Sequence, residues 1–197
     1  MSNGEVFGHL TFAALIFLLL PLARIARPLR VAAFASLLGL AFLPMVSGLS
    51  PGDYVRSYTD DLAITTLVWL LWTVFVRLTG VGRVAPRHHF QLATCFALLA
   101  LVLYPATLGL ASLDPYRLGF SPLSLLVAMW LLCLWLWWQR NHLGLALIVI
   151  ATLAWWLDVK DSDNYWDYLV DPALGVYALG YLLYACLRRR SGARATP

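Results

Sequence analysis

Seven apolar stretches follow one another along this chain, at about residues 6–23, 31–49, 61–78, 90–111, 122–139, 142–158 and 172–187, with short polar breaks between them. A helix needs about 20 apolar residues to cross the ~30 Å hydrocarbon core of a bilayer. Each stretch is close to that length. Where no water reaches the backbone, its amides and carbonyls must be satisfied inside the segment, and a helix does this for every run independently. The expected fold is therefore all-α: a polytopic transmembrane bundle of about seven helices. Residues 1–187 read as a single transmembrane helical domain and 188–197 as a basic cytoplasmic tail. Only 12% of the residues are charged and 61% are hydrophobic, against about 25% charged in soluble domains. Lipid is the solvent such a chain expects.

The breaks between the stretches test this division. Arg24, Arg27 and Arg30 occupy the first break, Arg77, Arg83 and Arg87 the third, Arg140 the fifth, and Arg188, Arg189, Arg190 and Arg194 the end. Only Arg56, Arg117 and Lys160 fall in the alternate breaks. Basic residues near helix ends stay cytoplasmic, so the N-terminus is expected outside and the C-terminus inside. All ten acids fall on the opposite, outer side, although acids contribute little to orientation. The N-terminus, MSNGEVFGHL, has no basic residue before its apolar run and reads as a retained first helix. The expected location is a bacterial inner (cytoplasmic) membrane, as a multi-pass protein whose first partner is the lipid bilayer. The net charge of +4 comes from these topological clusters, so no nucleic-acid partner is expected.

Proline and loop signals add detail. Pro44 is expected to kink the second helix, and Pro105 lies in the outer half of the fourth. SPGDYVRSYTDD and LDPYRLGFSP read as outer loops, and DVKDSDNYWDYLVD as the longest exposed segment.

Chemistry on the outer side centres on carboxylates. Asp60 and Asp61 are adjacent at a helix start, where they either share a proton or cation, or complement the helix dipole. With Asp114 and Arg117 they are the catalytic candidates: carboxylates as base or metal ligands, and a guanidinium fork for an anionic headgroup. Asp158, Asp161, Asp163 and Asp167 are weak candidates for a metal site, because oxygen-rich clusters suit Ca²⁺ or Mg²⁺, yet the glycine-centred loop pattern of such sites is missing. Asp171 before Pro172 reads as a helix cap. Tyr165, Trp166 and Tyr168 are expected to face outward and bind a partner.

Other residue types carry bland readings. His9, His88, His89 and His142 read as interfacial anchors, Cys95, Cys133 and Cys186 as buried small residues, and no cofactor is expected. No ionisable residue falls near a helix centre, where coupled transporters keep theirs. The motifs G-x-S-x-G and H-E-x-x-H of hydrolases are absent from the sequence. The expected role is a non-catalytic integral membrane subunit or scaffold of a larger envelope complex, docked by a membrane or periplasmic protein on an acidic, aromatic outer face. The alternatives are an enzyme acting on a lipid or polyprenyl substrate at the outer leaflet, and an uncoupled small-solute transporter or channel.

Overall fold

The computed structural model describes residues 3–45, 48–110 and 114–193, and among these it is all-helical, with no strand. The helices are α1 (Asn3–Leu19), α2 (Arg27–Ala41), α3 (Pro51–Thr59), α4 (Ile64–Thr79), α5 (Pro86–Thr107), α6 (Leu123–Trp138), α7 (His142–Trp156), the single turn α8 (Trp166–Leu169) and α9 (Pro172–Ala193). Two 3₁₀ turns join them, Leu22–Arg24 and Pro115–Gly119. Each of the seven apolar stretches overlaps one of the longer helices. α9 runs on through residues 188–193, so the basic end of the chain begins as helix; residues 194–197 lie outside the described residues.

Two local expectations fail. α2 ends at Ala41, ahead of Pro44, so proline terminates the second helix where a kink was expected. The residue before a proline is pushed out of the helical region, and the amides of Phe42 and Leu43 close the last turn onto the carbonyls of Gly39 and Leu40. The stretch SPGDYVRSYTDD is not an irregular loop, because residues 51–59 form α3. Its start is a capping box. The Ser50 side chain accepts from the Asp53 amide, the Asp53 carboxylate accepts from the Ser50 amide, and Pro51 opens the helix.

Among the described residues one helix, Pro86–Thr107, is long and apolar enough to cross a membrane. Its 22 residues rise about 33 Å at 1.5 Å per residue. Four shorter helices, Gly4–Leu19, Ile64–Thr79, Leu123–Trp138 and His142–Trp156, are apolar as well.

The helices pack mainly as α5 on α9, α1 on α2 and α3, and α7 on α4 and α6. Small residues let them approach. A Cβ on Gly175 of α9 would sit 3.0 Å from that of Ala100 on α5. α1 crosses α3 through Gly4, Gly8 and Gly52, and a Cβ on Gly52 would lie 2.8 Å from the His9 Cα. The buried face of α5 is Leu92, Ala93, Phe96, Ala97 and Ala100, while Leu98, Leu101 and Val102 on its other face are more than half exposed. Val149, Ile150 and Leu153 on α7, Trp130 and Leu131 on α6, and Val176 and Leu183 on α9 are exposed too. α6 and α7 are thus apolar on their exposed as well as their buried faces.

The two ends of the bundle differ. At one end Arg77 of α4 donates to the carbonyls of Leu18, in the last turn of α1, and Leu20, just past it, and Arg30 of α2 donates to the carbonyl of Arg77. Cations there satisfy carbonyls left open at helix C-termini. At the other end α1 begins beside Arg56 and Asp61, α4 begins, α5 finishes and α9 begins. That acidic end carries the chemistry.

Candidate functional site

A cleft of about 460 Å³ opens at the acidic end, lined by Arg56, Asp60 and Asp61 after α3, Tyr104 and Thr107 of α5, Tyr116, and the segment from Lys160 to Pro172. Lys160 organises it. Its Nζ donates to the carbonyl oxygens of Asp61 at 2.7 Å, Asp167 at 2.9 Å and Leu62 at 3.2 Å. An ammonium has three N–H groups, and all three are used. The ammonium also lies 5.7 Å from the centre of the Tyr168 ring, in cation–π range. Burial pushes the Lys160 amine below the usual lysine value, while Asp167, Asp61, Asp171 and Asp60 pull it back up.

The carboxylates around it are held in different ways. Asp61 takes a two-pronged ion pair from Arg56, through Nε at 2.7 Å and Nη2 at 3.1 Å. That pair raises the Arg56 guanidinium above its ordinary value. Asp167 accepts from the Tyr116 hydroxyl at 3.1 Å and from the Ser162 hydroxyl. Burial and that carboxylate push Tyr116 up to about 12, so it stays a donor. Asp171 is nearly buried and joins two helices: one oxygen accepts from the Leu174 amide at 2.7 Å inside α9, the other from the Ala63 amide at 2.8 Å at the head of α4. Asp171 is therefore the expected cap of the last helix, and a cap of α4 besides.

The catalytic candidates Asp60, Asp61, Asp114 and Arg117 are not brought together as a set. Asp60 and Asp61 line the cleft; Asp114 and Arg117 are exposed outside it, with Asp114 accepting from the Tyr116 amide to open its 3₁₀ turn. The metal candidates Asp158, Asp161, Asp163 and Asp167 do not converge either. Among the described residues no three His, Cys, Asp or Glu side chains are placed to share an ion. The physical reason is that Asp167 turns inward to Tyr116 and Ser162 while Asp158, Asp161 and Asp163 stay exposed.

The largest correction concerns Tyr165, Trp166 and Tyr168, expected as an outward docking patch. They are 0%, 2% and 0% exposed. The segment after α7 folds back over the bundle, and the Tyr165 amide donates to the Gly119 carbonyl at 3.1 Å. Each aromatic polar atom then finds an internal partner: Tyr165 with the Thr152 hydroxyl at 2.6 Å, Trp166 with the Pro115 carbonyl at 2.9 Å, and Tyr168 with the Lys160 carbonyl at 3.1 Å. Burial raises Tyr165 to about 12 and raises Tyr168 as well. None of the three lines the cleft; Tyr168 braces its wall through both backbone groups of Lys160.

Several working residues lack an evident sequence signal. Asn164 is fully buried, donates to the Tyr116 carbonyl at 3.0 Å and accepts from the Trp166 amide at 2.9 Å. His9 bonds the Ser50 hydroxyl at 2.9 Å through Nε2 and contacts the Glu5 carbonyl through Nδ1, which fastens α1 to the head of α3. Ser50 also donates to Asp53 at 2.7 Å, and its hydroxyl and amide hold that carboxyl below its usual range. At the arginine end His89 bonds the Tyr177 hydroxyl at 2.8 Å, and Asn141 donates to the His88 carbonyl at 3.1 Å.

Compared with protein-family models, curated proteins and solved structures, the chain matches none.

Proposed function

We propose that this chain is a multi-pass protein of a bacterial cytoplasmic membrane, N-terminus outside, serving as a non-catalytic subunit that holds together a larger envelope assembly. The embedding rests on exposed leucine, valine and tryptophan around helices that are apolar on every side. A contiguous apolar surface of that extent demands lipid or protein cover. The helices of 15 and 16 residues rise about 24 Å, less than a typical core; thinning of the bilayer and interfacial side chains accommodate such a shortfall. The orientation rests on the arginines gathered at one end and the acids at the other.

One observation carries the non-catalytic reading. Apart from Asp60 and Asp161 on its exposed rim, the charged groups lining the cleft, Arg56, Asp61, Lys160, Asp167 and Asp171, each hold helix ends and turns together through the bonds described above. A general base or nucleophile needs a free lone pair within reach of substrate. These groups are committed to the fold, so the cleft is a clasp. What remains available outside is an acidic rim of Asp60, Asp114, Asp158, Asp161 and Asp163, all exposed, which suits a partner with a basic face.

Purification of the tagged protein from its own membrane in mild detergent, followed by native mass spectrometry, tests this. A stoichiometric partner protein is expected, and the double charge reversal Asp114→Lys with Asp163→Lys is expected to reduce its recovery. Arg117→Ala is expected to leave the assembly and the phenotype unchanged. A lone protein that turns over a lipid, with activity abolished by Arg117→Ala, would replace the scaffold reading with the enzyme one.

A further inference from the structure

A second concavity adjoins the cleft. Between α1, α2 and α3 lies a groove of about 920 Å³, walled by Phe12, Leu15, Leu40, Leu43, Val55 and Tyr58. That is within the ~300–1,000 Å³ of ligand pockets. α3 divides the two concavities: its Val55 and Tyr58 face the groove and its Arg56 the cleft, and Thr59 stands on the wall of both. An apolar slot beside a polar cleft, with Thr59 on the wall of both, matches the two halves of an amphiphile. In the membrane reading the slot opens at the outer interface, where lipid is at hand.

The charge of the cleft selects among lipids. Asp60, Asp61, Asp161, Asp167 and Asp171 face it against two cations, Arg56 and Lys160, and both cations are already engaged. Asp60 and Asp161 are exposed on its rim, with neither carboxylate in an ion pair among the described residues. An anionic headgroup would meet like charge there. A primary ammonium brings the complementary charge and N–H donors for a rim carboxylate, and hydrogen bonds between ionised groups are the strong ones.

We propose that groove and cleft together hold one phospholipid with a primary-ammonium headgroup, its acyl chain against Phe12, Leu15 and Leu40 and its ammonium at the rim that carries Asp60 and Asp161. This rests on the membrane reading above. A quaternary ammonium has the charge but no N–H, so phosphatidylcholine binds more weakly than phosphatidylethanolamine, and phosphatidylglycerol more weakly again.

The test is native mass spectrometry of the full chain released from nanodiscs containing equal parts dioleoyl phosphatidylethanolamine, phosphatidylcholine and phosphatidylglycerol. Retained phosphatidylethanolamine is expected to exceed phosphatidylglycerol by about tenfold, the scale of one charge-assisted hydrogen bond. The double variant Asp60→Asn with Asp161→Asn changes two exposed side chains, so it keeps the fold, and it is expected to erase the preference. Leu15→Trp, which fills the groove, is expected to reduce retention of all three lipids. Equal retention, a phosphatidylglycerol preference, or a preference that survives the double variant overturns the proposal. A chain that enters nanodiscs but shows no preference sinks the lipid site alone, whereas one that fails to enter them sinks the membrane reading beneath it.

Discussion

Asp171→Ala is expected to destabilise the protein by about 3–5 kcal/mol, the sum of two charge-assisted hydrogen bonds and two amides left without partners. The buried carboxylate binds the Ala63 amide, 108 residues away in sequence, and the Leu174 amide of its own helix. Neither amide has a helical partner of its own, because the first N–H groups of a helix never do. Water reaches poorly to replace the lost oxygens. In a detergent-solubilised sample the unfolding midpoint should fall by about 10 °C. Asp171→Asn keeps one acceptor oxygen and should fall between the two. A loss under about 1 kcal/mol for Asp171→Ala would mean that the two helix starts are held by something else.

Gly119→Ala is expected to be as damaging for a steric reason. A Cβ there would lie 1.7 Å from the Asn164 Oδ1 and 2.9 Å from the Trp166 Cδ1. Asn164 cannot retreat, since its amide group is bonded at both ends to Tyr116 and Trp166. The turn Pro115–Gly119 must lift off the segment that carries Asn164 and Trp166, at a cost of about 3 kcal/mol or more. The cause can be isolated by coupling. Asn164→Ala removes the atom that the new methyl strikes, so adding Gly119→Ala to it should cost far less than in the wild type. Additive costs in the double variant would show that the Asn164 clash is not the cause.

How much of this was legible depends on the range of the interaction. The apolar stretches mark the helices because hydropathy is summed residue by residue along the chain, and α6 and α7 follow theirs to within about two residues at each end. Asp171 before Pro172 advertises its cap for the same local reason. Ser50, Pro51 and Asp53 announce α3 just as locally, but the polar residues around them read as loop. Tyr165, Trp166 and Tyr168 illustrate the other case. Aromatic residues between helices ordinarily sit at headgroup depth. Their burial depends on the Gly119 turn meeting Asn164, a contact between segments about 45 residues apart that leaves no periodic trace. Lys160 is similar: as the one outer lysine it looked like an exception to the charge rule, and its role depends on where the carbonyls of Asp61 and Leu62, about 100 residues away, and of Asp167, seven residues on, end up. The cleft is thus visible in sequence only as its exposed acids.

The most direct test of the central claim is the sidedness of the two ends in intact cells. In a background with Cys95, Cys133 and Cys186 replaced by alanine, single cysteines would be placed by Asp114→Cys, Asp163→Cys, Arg83→Cys and Arg140→Cys. A membrane-impermeant maleimide is expected to label the first two in intact cells and the last two only after permeabilisation, with the protein retained in carbonate-washed membranes. Equal labelling at all four positions, the reverse pattern, or extraction by carbonate would contradict the account.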